Sequence, residues 1–308
     1  MPGGDGFSHE ALFYRGDDEL LARTLPFVRE GVEAGEPVLV VLPQAKNDAL
    51  RHALGPAAES VTFADMAEVG ANPARIIPAW RWFVDAHAAS GKRMRGIGEP
   101  INPDRHGAEL VECHRHEALL NVEFADDPPL RLLCPYDVDA LDPDVVAEAH
   151  RTHPYVLEDT LLPSDDYRPV DADEPFADLL VEPTVPVREL SFAHGPLAEL
   201  RAFVAENATA AGLAEDRVTD LVLAVNEIAT NSIQHGGGTG CVRFWCENAT
   251  VVFEIVDQGL IAEALVGRRV PAADSERGRG IWMANQVCDL VQVHSTRGRT
   301  AVRLLMHV

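Results

Sequence analysis

A glutamate and an asparagine four residues apart are the side chains in this sequence best placed to act together. Glu227 and Asn231 lie in the apolar segment LVLAVNEIATNSIQH, residues 221–235, whose pattern predicts a helix. A spacing of four puts a carboxylate and an amide on one helix face. Because Mg²⁺ prefers oxygen ligands and keeps several waters, one amide oxygen beside phosphate groups is enough to hold it. The pair therefore offers a metal ligand and a base if the segments that it borders supply a nucleotide site.

Three later motifs supply groups that suit a nucleotide. An acid and a glycine end the strand-like segment VVFEIVDQG, and the acid can accept a hydrogen bond from an exocyclic amine. Two glycines precede an apolar helical run, where free N–H groups at a helix start favour phosphate. A threonine opens the last strand. These residues are Asp257, Gly259, Gly278, Gly280 and Thr300. Each motif alone is common in ordinary turns and helices, but their order and separation are much more specific.

In these motifs, residues from about 186 to 308 resemble the GHKL ATPase fold. Within that fold they resemble the anti-sigma-factor serine kinases related to bacterial RsbW and SpoIIAB. The resemblance implies an α/β two-layer sandwich that binds ATP and Mg²⁺. By the resemblance, Asn231 would hold Mg²⁺ against the ATP phosphates. Glu227 would act as the general base or orient the attacking hydroxyl, and Asp257 would recognise adenine. By the same resemblance the pocket is lined by Gly259, Gly278, Gly280 and Thr300.

One position departs from the family pattern. Family members often carry a second glycine two residues after the one that matches Gly259, and this chain has Ile261 there. Ile261 begins the segment IAEALVGRRVPAADSE, where the ATP lid is expected. The departure leaves nucleotide binding as the prediction and makes turnover the open question.

The first half of the chain alternates strand and helix patterns. Strands are predicted at residues 11–14, 37–43, 60–64, 93–99 and 130–136, and helices at 17–34, 44–54, 73–90 and 107–120. Such alternation is typical of an α/β domain with a largely parallel sheet. The turn after PVLVVLP reads QAKND, so the phosphate cradle of a P-loop is missing from this half.

Several landmarks in this half resemble the MEDS domain, a sensory module of bacterial regulators. They are SHEALFY, GVEAGEPVLVVLP, RGIGEPINPDR, CHRHEALLN and LLCPYD. The resemblance covers residues from about 7 to 156 and implies a degenerate RecA-like fold that senses a small molecule or a partner. His9 and Glu99, at predicted strand ends, are the better candidates for a sensory pocket, because ligands favour the carboxyl edge of such sheets. Capping or loop hydrogen bonds remain the alternative for both. His114 and His116 beside Cys113 do not share one helix face.

Composition sets the remaining limits. The 308 residues allow two cores, and we predict a sensory domain over residues 1–157, an acidic Pro-rich linker over 158–186 and the ATP-binding domain over 187–308. Phe176 and Leu179 are the linker residues able to dock locally. A net charge of −23 offers no basic surface for nucleic acid. No apolar run is long enough to span a membrane, and five cysteines without paired short spacings favour a reduced, cytoplasmic protein.

Together these observations predict a bacterial signalling regulator. Its expected activity is ATP- and Mg²⁺-dependent phosphorylation of serine or threonine on an anti-anti-sigma (STAS) partner, with sigma-factor binding as the second output. A small-molecule ligand of the sensory domain and a homodimer are further options. Two alternatives stay open: a non-catalytic, ATP-dependent anti-sigma switch, and an atypical histidine kinase. The second is disfavoured, because no helix pair with a phosphoacceptor histidine precedes the ATP-binding domain.

Overall fold

The chain divides into a first unit, Met1–Val170, and a second unit, Asp171–Val308. The computed structural model describes residues 6–126, 129–170, 175–272 and 278–308. The division falls inside the predicted linker, and residues on its two sides belong to different cores. Leu161–Pro163 adds a strand to the sheet of the first unit, whereas Phe176 is buried in the core of the second. Leu179 does not dock as expected, because 83% of its surface is exposed.

Apolar strands that are covered on both faces build the first unit. Its strands are β1 (Ser8–Tyr14), β2 (Val38–Leu42), β3 (Val61–Asp65), β4 (Met94–Gly98), β5 (Leu130–Asp137), β6 (Tyr155–Leu157) and β7 (Leu161–Pro163). They form one sheet in the order β3-β2-β4-β5-β1-β6-β7, parallel except for the pair β6–β7. All five residues of β2, VLVVL, are buried, as a central parallel strand requires. The prediction of an α/β domain with a largely parallel sheet is confirmed.

Amphipathic helices flank this sheet. They are α1 (Gly16–Glu33), α2 (Gln44–Leu54), α3 (Met66–Val69), α4 (Ile76–His87), α5 (Gly107–Glu123) and α6 (Pro143–Thr152). Helix α1 buries Leu20, Phe27 and Val28 along one side. Trp80 of α4 packs directly against β4, since a Cβ on Gly96 would lie 2.7 Å from its ring. The glycine in the strand therefore makes room for the largest side chain of this core.

The second unit is a two-layer sandwich. Its strands are β8 (Arg188–Ala193), β9 (Thr239–Glu247), β10 (Thr250–Asp257), β11 (Leu290–Thr296) and β12 (Arg299–His307), in the antiparallel order β11-β12-β10-β9-β8. The helices α7 (Ala198–Ala210), α8 (Glu215–His235) and α9 (Arg279–Val287) contribute to one core with the sheet. In that core, Val225 and Ile228 of α8 belong to the same cluster as Phe253 and Ile255 of β10. Alternate residues of β10 thus face the helices, and this confirms the predicted α/β fold.

The opposite face of β10 carries a buried charge network. Glu254 accepts hydrogen bonds from Arg243 of β9 at 2.6 Å and from Arg303 of β12 at 3.0 and 2.7 Å. Arg303 also donates to the carbonyl oxygen of Val181, so the segment before β8 lies against this face. Both oxygens of the carboxylate are paired, as a buried charge requires.

The cysteines of the described residues are reduced and differ in exposure. Cys113, Cys134 and Cys288 are buried, Cys241 is half-buried, and Cys246 on β9 is exposed. Burial raises the pKa of Cys113 to about 12, which keeps this thiol protonated at neutral pH.

Candidate functional site

A cavity of about 320 Å³ opens in the second unit between α8, the end of β10, the loop that follows it, α9 and β12. Among the residues that line it are five predicted to bind nucleotide: Asn231, Asp257, Gly259, Gly278 and Thr300. They come from four separate parts of the chain and meet because α8 and α9 cross the same end of the sheet. The volume lies within the range of about 300–1,000 Å³ typical of small-molecule sites.

Helix α8 presents Asn231 and Glu227 at this cavity without using them to hold the fold. Both side chains are half-buried, while their neighbours Ile228 and Ser232 are buried. Within the described residues, neither the Asn231 amide nor the Glu227 carboxylate makes a hydrogen bond or an ion pair. Glu227 lies one turn before Asn231 and is not part of the cavity lining. One unpaired polar group, Asn231, thus lines the cavity, and a second, Glu227, lies beside it.

Gly280 of α9 sits directly against this pair. A Cβ at that position would lie 2.5 Å from Asn231 Nδ2 and 3.6 Å from the Cβ of Glu227. Any other residue would therefore push the Asn231 amide out of place. Gly278, which precedes α9, has a φ of +80°, a left-handed conformation that glycine adopts at no steric cost. Gly280 therefore allows α9 to lie close to Asn231, and Gly278 allows the tight turn that begins α9.

Asp257 is held rigidly at the floor of the cavity. Its Oδ2 accepts a hydrogen bond from Ser232 Oγ at 2.5 Å, and its Oδ1 accepts one from the backbone N–H of Gly259 at 2.7 Å. Gly236 allows the carboxylate to approach, since a Cβ there would lie 2.5 Å from the carboxyl carbon. Each carboxylate oxygen keeps one acceptor site beyond these bonds. Asp257 can therefore accept a hydrogen bond from a ligand amine.

A chain of hydroxyl groups fixes the loop after β10. Thr300 donates to the carbonyl oxygen of Gly259 at 3.0 Å and lies 2.7 Å from Ser295 Oγ. Ser295 in turn accepts from the backbone N–H of Ile261 at 2.8 Å. The isoleucine that departs from the family pattern is thus anchored by its backbone, and its side chain forms part of the apolar wall.

The lid region is partly tied down. Asn285 of α9 donates to the carbonyl oxygen of Gly267 at 3.1 Å, and Gly267 itself has a φ of +71°. A Cβ on Gly267 would lie 2.4 Å from Ile281, so the loop packs closely on α9. The end of the predicted lid, residues 273–276, lies outside the described residues.

Sequence reasoning missed three groups of this site: Ser232, Gly236 and Ser295. Ser232 directly follows Asn231, and its position one helix turn after the buried Ile228 indicates an inward side chain. Gly236 begins a run of three glycines directly after α8, which is a signal for close backbone approach. No local pattern marks Ser295, because its role depends on the pairing of β11 with β12.

In the first unit, Glu99 follows β4 at the carboxyl edge of the parallel sheet, as predicted. Lys46 of α2 donates to its two carboxylate oxygens at 2.7 and 2.9 Å, and the Tyr14 hydroxyl donates at 2.6 Å. Burial raises the pKa of Glu99, while the positive charge of Lys46 opposes that shift. Burial and the adjacent Glu99 carboxylate also raise the pKa of Tyr14. This carboxylate is enclosed by the protein's own donors.

His9 does not share that edge, contrary to the sequence expectation. Strand β1 begins at Ser8, three residues before the predicted start, so His9 is its second residue and lies at the amino end. Its ring is buried and contacts Glu117 of α5 at 3.0 Å and Cys134 of β5 at 3.3 Å. His9 and Glu99 therefore belong to two different side-chain clusters.

Three comparisons place these findings among known proteins. Residues 8–154 match the MEDS family, described as the methanogen/methylotroph, DcmR sensory domain, and residues 191–306 match the histidine kinase-like ATPase domain. No curated protein matches the chain. Among solved structures, it is similar at 18% identity and a TM-score of 0.30 to the RsbU and RsbW domains of a Mycobacterium tuberculosis protein. The match covers 40% of this chain and 32% of that one, so this chain spans about a third of the length of the solved chain.

None of the described helices is both long enough and apolar enough to cross a membrane.

Proposed function

We propose that this chain, which joins a MEDS sensory domain to a histidine kinase-like ATPase domain, is an anti-sigma-factor serine/threonine kinase. Its substrate would be a serine or threonine of an anti-anti-sigma (STAS) protein, and it would bind a sigma factor in its other state. The observation that carries the proposal is the cavity of the second unit, which gathers the predicted nucleotide residues beside two unpaired polar side chains.

The donor set of the cavity suits Mg·ATP. Asn231 offers an amide oxygen that no described residue engages, and Gly280 leaves room beside it. Such an oxygen, with phosphate oxygens and water, satisfies Mg²⁺. When bound, ATP supplies the phosphoryl group. Asn231 would hold the metal against the phosphates, and the helix start after Gly278 would offer backbone N–H groups to them.

Asp257 would set the base specificity of the pocket. Ser232 and the Gly259 N–H orient its carboxylate, and its remaining lone pairs suit the exocyclic amine of adenine. Guanine presents a carbonyl oxygen where adenine has that amine, and a carboxylate would repel it. The pocket should therefore prefer ATP to GTP.

Glu227 would act on the attacking hydroxyl. It lies on the same face of α8 as Asn231, one turn away, and no described residue neutralises its charge. A carboxylate there can accept the hydroxyl proton of a partner serine or orient that hydroxyl. Phosphoryl transfer depends mainly on such positioning and on neutralisation of the phosphate charge.

Two other functions remain as alternatives. Ile261 in the lid region favours a switch that binds ATP without transferring phosphate, because its side chain helps close the apolar wall of the cavity. An atypical histidine kinase is less favoured: described residues 164–170 and 175–187, which precede β8, contain no helix that could carry a phosphoacceptor histidine.

A phosphotransfer assay with matched variants tests the proposal. The full chain is incubated with Mg²⁺, labelled ATP and a STAS protein, alongside the variants Glu227→Gln and Glu215→Gln. Glu215 is an exposed carboxylate in the first turn of the same helix. We expect labelled phosphoserine or phosphothreonine with the parent chain and with Glu215→Gln, and a rate about 10²–10⁴-fold lower with Glu227→Gln.

Other outcomes point to the alternatives. ATP binding without transfer by any of the three proteins would contradict the kinase and leave the switch. Label that is lost in acid and kept in base would instead indicate phosphohistidine.

A further inference from the structure

Four buried side chains of the first unit, here called the buried quartet, converge on one point. They are His9 of β1, Glu117 of α5, Cys134 of β5 and His153, the residue after α6. Each is at most 2% exposed. One nitrogen, oxygen or sulfur atom from each lies within 4.8 Å of the other three. In the part of the chain that the structure describes, no other group of His, Cys, Asp or Glu side chains meets in this way.

Hydrogen bonds outside the quartet fix both imidazole rings. Asn121 donates its amide N–H to the carbonyl oxygen of Thr152 at 2.8 Å, so its Oδ1 must accept from His9 Nδ1, 3.2 Å away. His153 Nδ1 lies 2.8 Å from the carbonyl oxygen of Ala149 and must donate to it. Each ring therefore carries its proton on Nδ1, and in the neutral form each Nε2 presents a lone pair.

Each of these Nε2 lone pairs faces oxygen or sulfur atoms that carry lone pairs of their own. His9 Nε2 lies 3.0 Å from Glu117 Oε2 and 3.3 Å from Cys134 Sγ. His153 Nε2 lies 3.4 Å from the same carboxylate oxygen and makes no hydrogen bond within the described residues. Two nitrogen lone pairs, a carboxylate and a sulfur thus face each other in a dry interior. Such an arrangement is costly unless a metal ion lies between them, or unless the Cys134 thiol and an imidazole keep protons that they donate within the quartet.

We propose that the buried quartet is a binding site for a divalent transition metal, with Zn²⁺ as the best fit. Two imidazoles, one thiolate and one carboxylate are all zinc ligands, and the thiolate selects against Mg²⁺ and Ca²⁺. Ligand atoms about 2.0–2.3 Å from zinc at tetrahedral angles lie roughly 3.3–3.8 Å apart. The separations in the quartet run from 3.0 Å to at most 4.8 Å, so small shifts of the side chains would bring all four atoms onto one ion. With Glu117 and Cys134 both ionised, the two negative charges balance the metal.

The surroundings of the quartet match a built metal site. Metal-binding histidines usually donate their second ring N–H to a carbonyl or carboxamide group, and His9 and His153 both do so. The four ligands come from two neighbouring strands, one helix and the end of another, so a bound ion would join elements far apart in sequence. Because all four are buried, the site is closed and structural in type, with no position open to substrate.

Metal analysis and cobalt substitution test this site in the full chain. The protein is purified without an affinity tag and assayed for zinc, iron, cobalt, nickel and copper. We expect one equivalent of zinc per chain. Protein produced with Co²⁺ should show a thiolate-to-cobalt charge-transfer band together with the visible bands of a tetrahedral ion.

Matched variants assign the ligands. Cys134→Ser should remove the charge-transfer band, whereas Cys113→Ser should keep it, because Cys113 is equally buried but faces the carbonyl oxygen of Pro100. His153→Gln should lower the metal content. His150→Gln should not, since the His150 ring stacks on Phe13 outside the quartet.

The alternative is a quartet without metal, in which protons on the Cys134 thiol and on one imidazole take the place of the ion. A folded parent chain without stoichiometric metal and without cobalt bands would establish that alternative and overturn the proposal. The parent spectrum decides the question even if Cys134→Ser fails to fold. A charge-transfer band that persists in folded Cys134→Ser would equally contradict the proposal.

Discussion

One glutamate lies at the carboxyl edge of the first sheet and another lies beside the cavity of the second unit, and the two glutamates have opposite surroundings. Glu99 receives hydrogen bonds from Lys46 and Tyr14 and is only 1% exposed. Glu227 has no partner among the described residues and stands beside Asn231, which has none either. A paired buried charge has its desolvation cost offset within the protein, whereas an unpaired polar group at a cavity is available to a ligand.

This contrast separates polar residues that stabilise the fold from those that bind. Substitutions at the paired cluster should lower the free energy of unfolding. Substitutions at the unpaired residues Asn231 and Glu227 should lower ligand affinity or turnover and leave unfolding nearly unchanged. Three substitutions test the contrast.

Asn231→Ala should have the largest effect. Removal of the amide oxygen takes away the proposed protein ligand of Mg²⁺, and we expect a loss of about 10³-fold in Mg·ATP-dependent turnover. Isothermal titration with Mg·ATP and a coupled assay of ADP release measure the two parts of this effect.

Asn226→Ala is the control for that variant. Asn226 lies on the same helix and is also half-buried, but its Oδ1 accepts a hydrogen bond from Arg201. It should bind Mg·ATP like the parent. Equal binding by both variants would remove the reason to treat Asn231 as a ligand residue.

Lys46→Met should have the next largest effect, which is a lower free energy of unfolding. The change leaves Glu99 buried beside Tyr14 without its cation, which should cost about 3 kcal/mol of unfolding free energy at neutral pH. Urea unfolding followed through Trp80 and Trp82, with Trp245 and Trp282 replaced by phenylalanine, reports on the first unit.

The pH dependence of this variant follows from the direction of the Glu99 pKa shift. Burial raises the pKa of Glu99 in the folded state, and loss of Lys46 raises that pKa further. An acid with a raised folded pKa is most favourable to the fold below its unfolded pKa, and that contribution is lost as pH rises through the folded pKa. The destabilisation by Lys46→Met should therefore shrink as the pH falls through the raised folded pKa of Glu99, and it should be smallest once the pH is below the ordinary pKa of glutamate.

Lys92→Met serves as its control, because Lys92 is an exposed lysine that donates to the carbonyl oxygen of Gly35. Its effect should stay within about 0.5 kcal/mol. Unchanged unfolding of Lys46→Met at neutral pH would show that the paired cluster is not structural.

Asp257→Asn should have the smallest effect of the three. The amide keeps one acceptor oxygen, so it can still accept from Ser232 or from the Gly259 N–H but not from both in the present geometry. We expect about tenfold weaker ATP binding and a smaller preference for ATP over GTP. Competition between the two nucleotides measures this; a parent-like preference would show that Asp257 does not read the base.

Much of the fold is predictable from local patterns in the sequence. The helix predicted at residues 44–54 is α2, and the strands predicted at 37–43 and 93–99 contain β2 and β4. Helix α6 and the short strands β6 and β7 were missed. Strands of three residues at a sheet edge bury too little to leave a periodic pattern, and β7 lies in a segment whose Pro and Asp content indicated a linker.

The two candidate sites differ in how far local sequence patterns reveal them. The nucleotide residues lie in short motifs with fixed spacing, so sequence alone could single them out, although their roles remain proposals. The buried quartet has no motif: His9 and Glu117 are 108 positions apart, and His9 and Cys134 are 125 apart. Only the order of strands in the sheet, with β1 between β5 and β6, brings them together. Local sequence patterns do not determine the order of strands in a sheet, so they could not predict the buried quartet.

The uneven exposure of the cysteines has a practical consequence for observing this protein. Thiol-reactive dyes attack accessible thiolates, so Cys246 should be labelled first, ahead of the half-buried Cys241 and the buried Cys113, Cys134 and Cys288. Cys246 lies on β9 of the same unit as the cavity. A fluorophore attached there would act as an energy-transfer partner for a fluorescent nucleotide without any engineered cysteine.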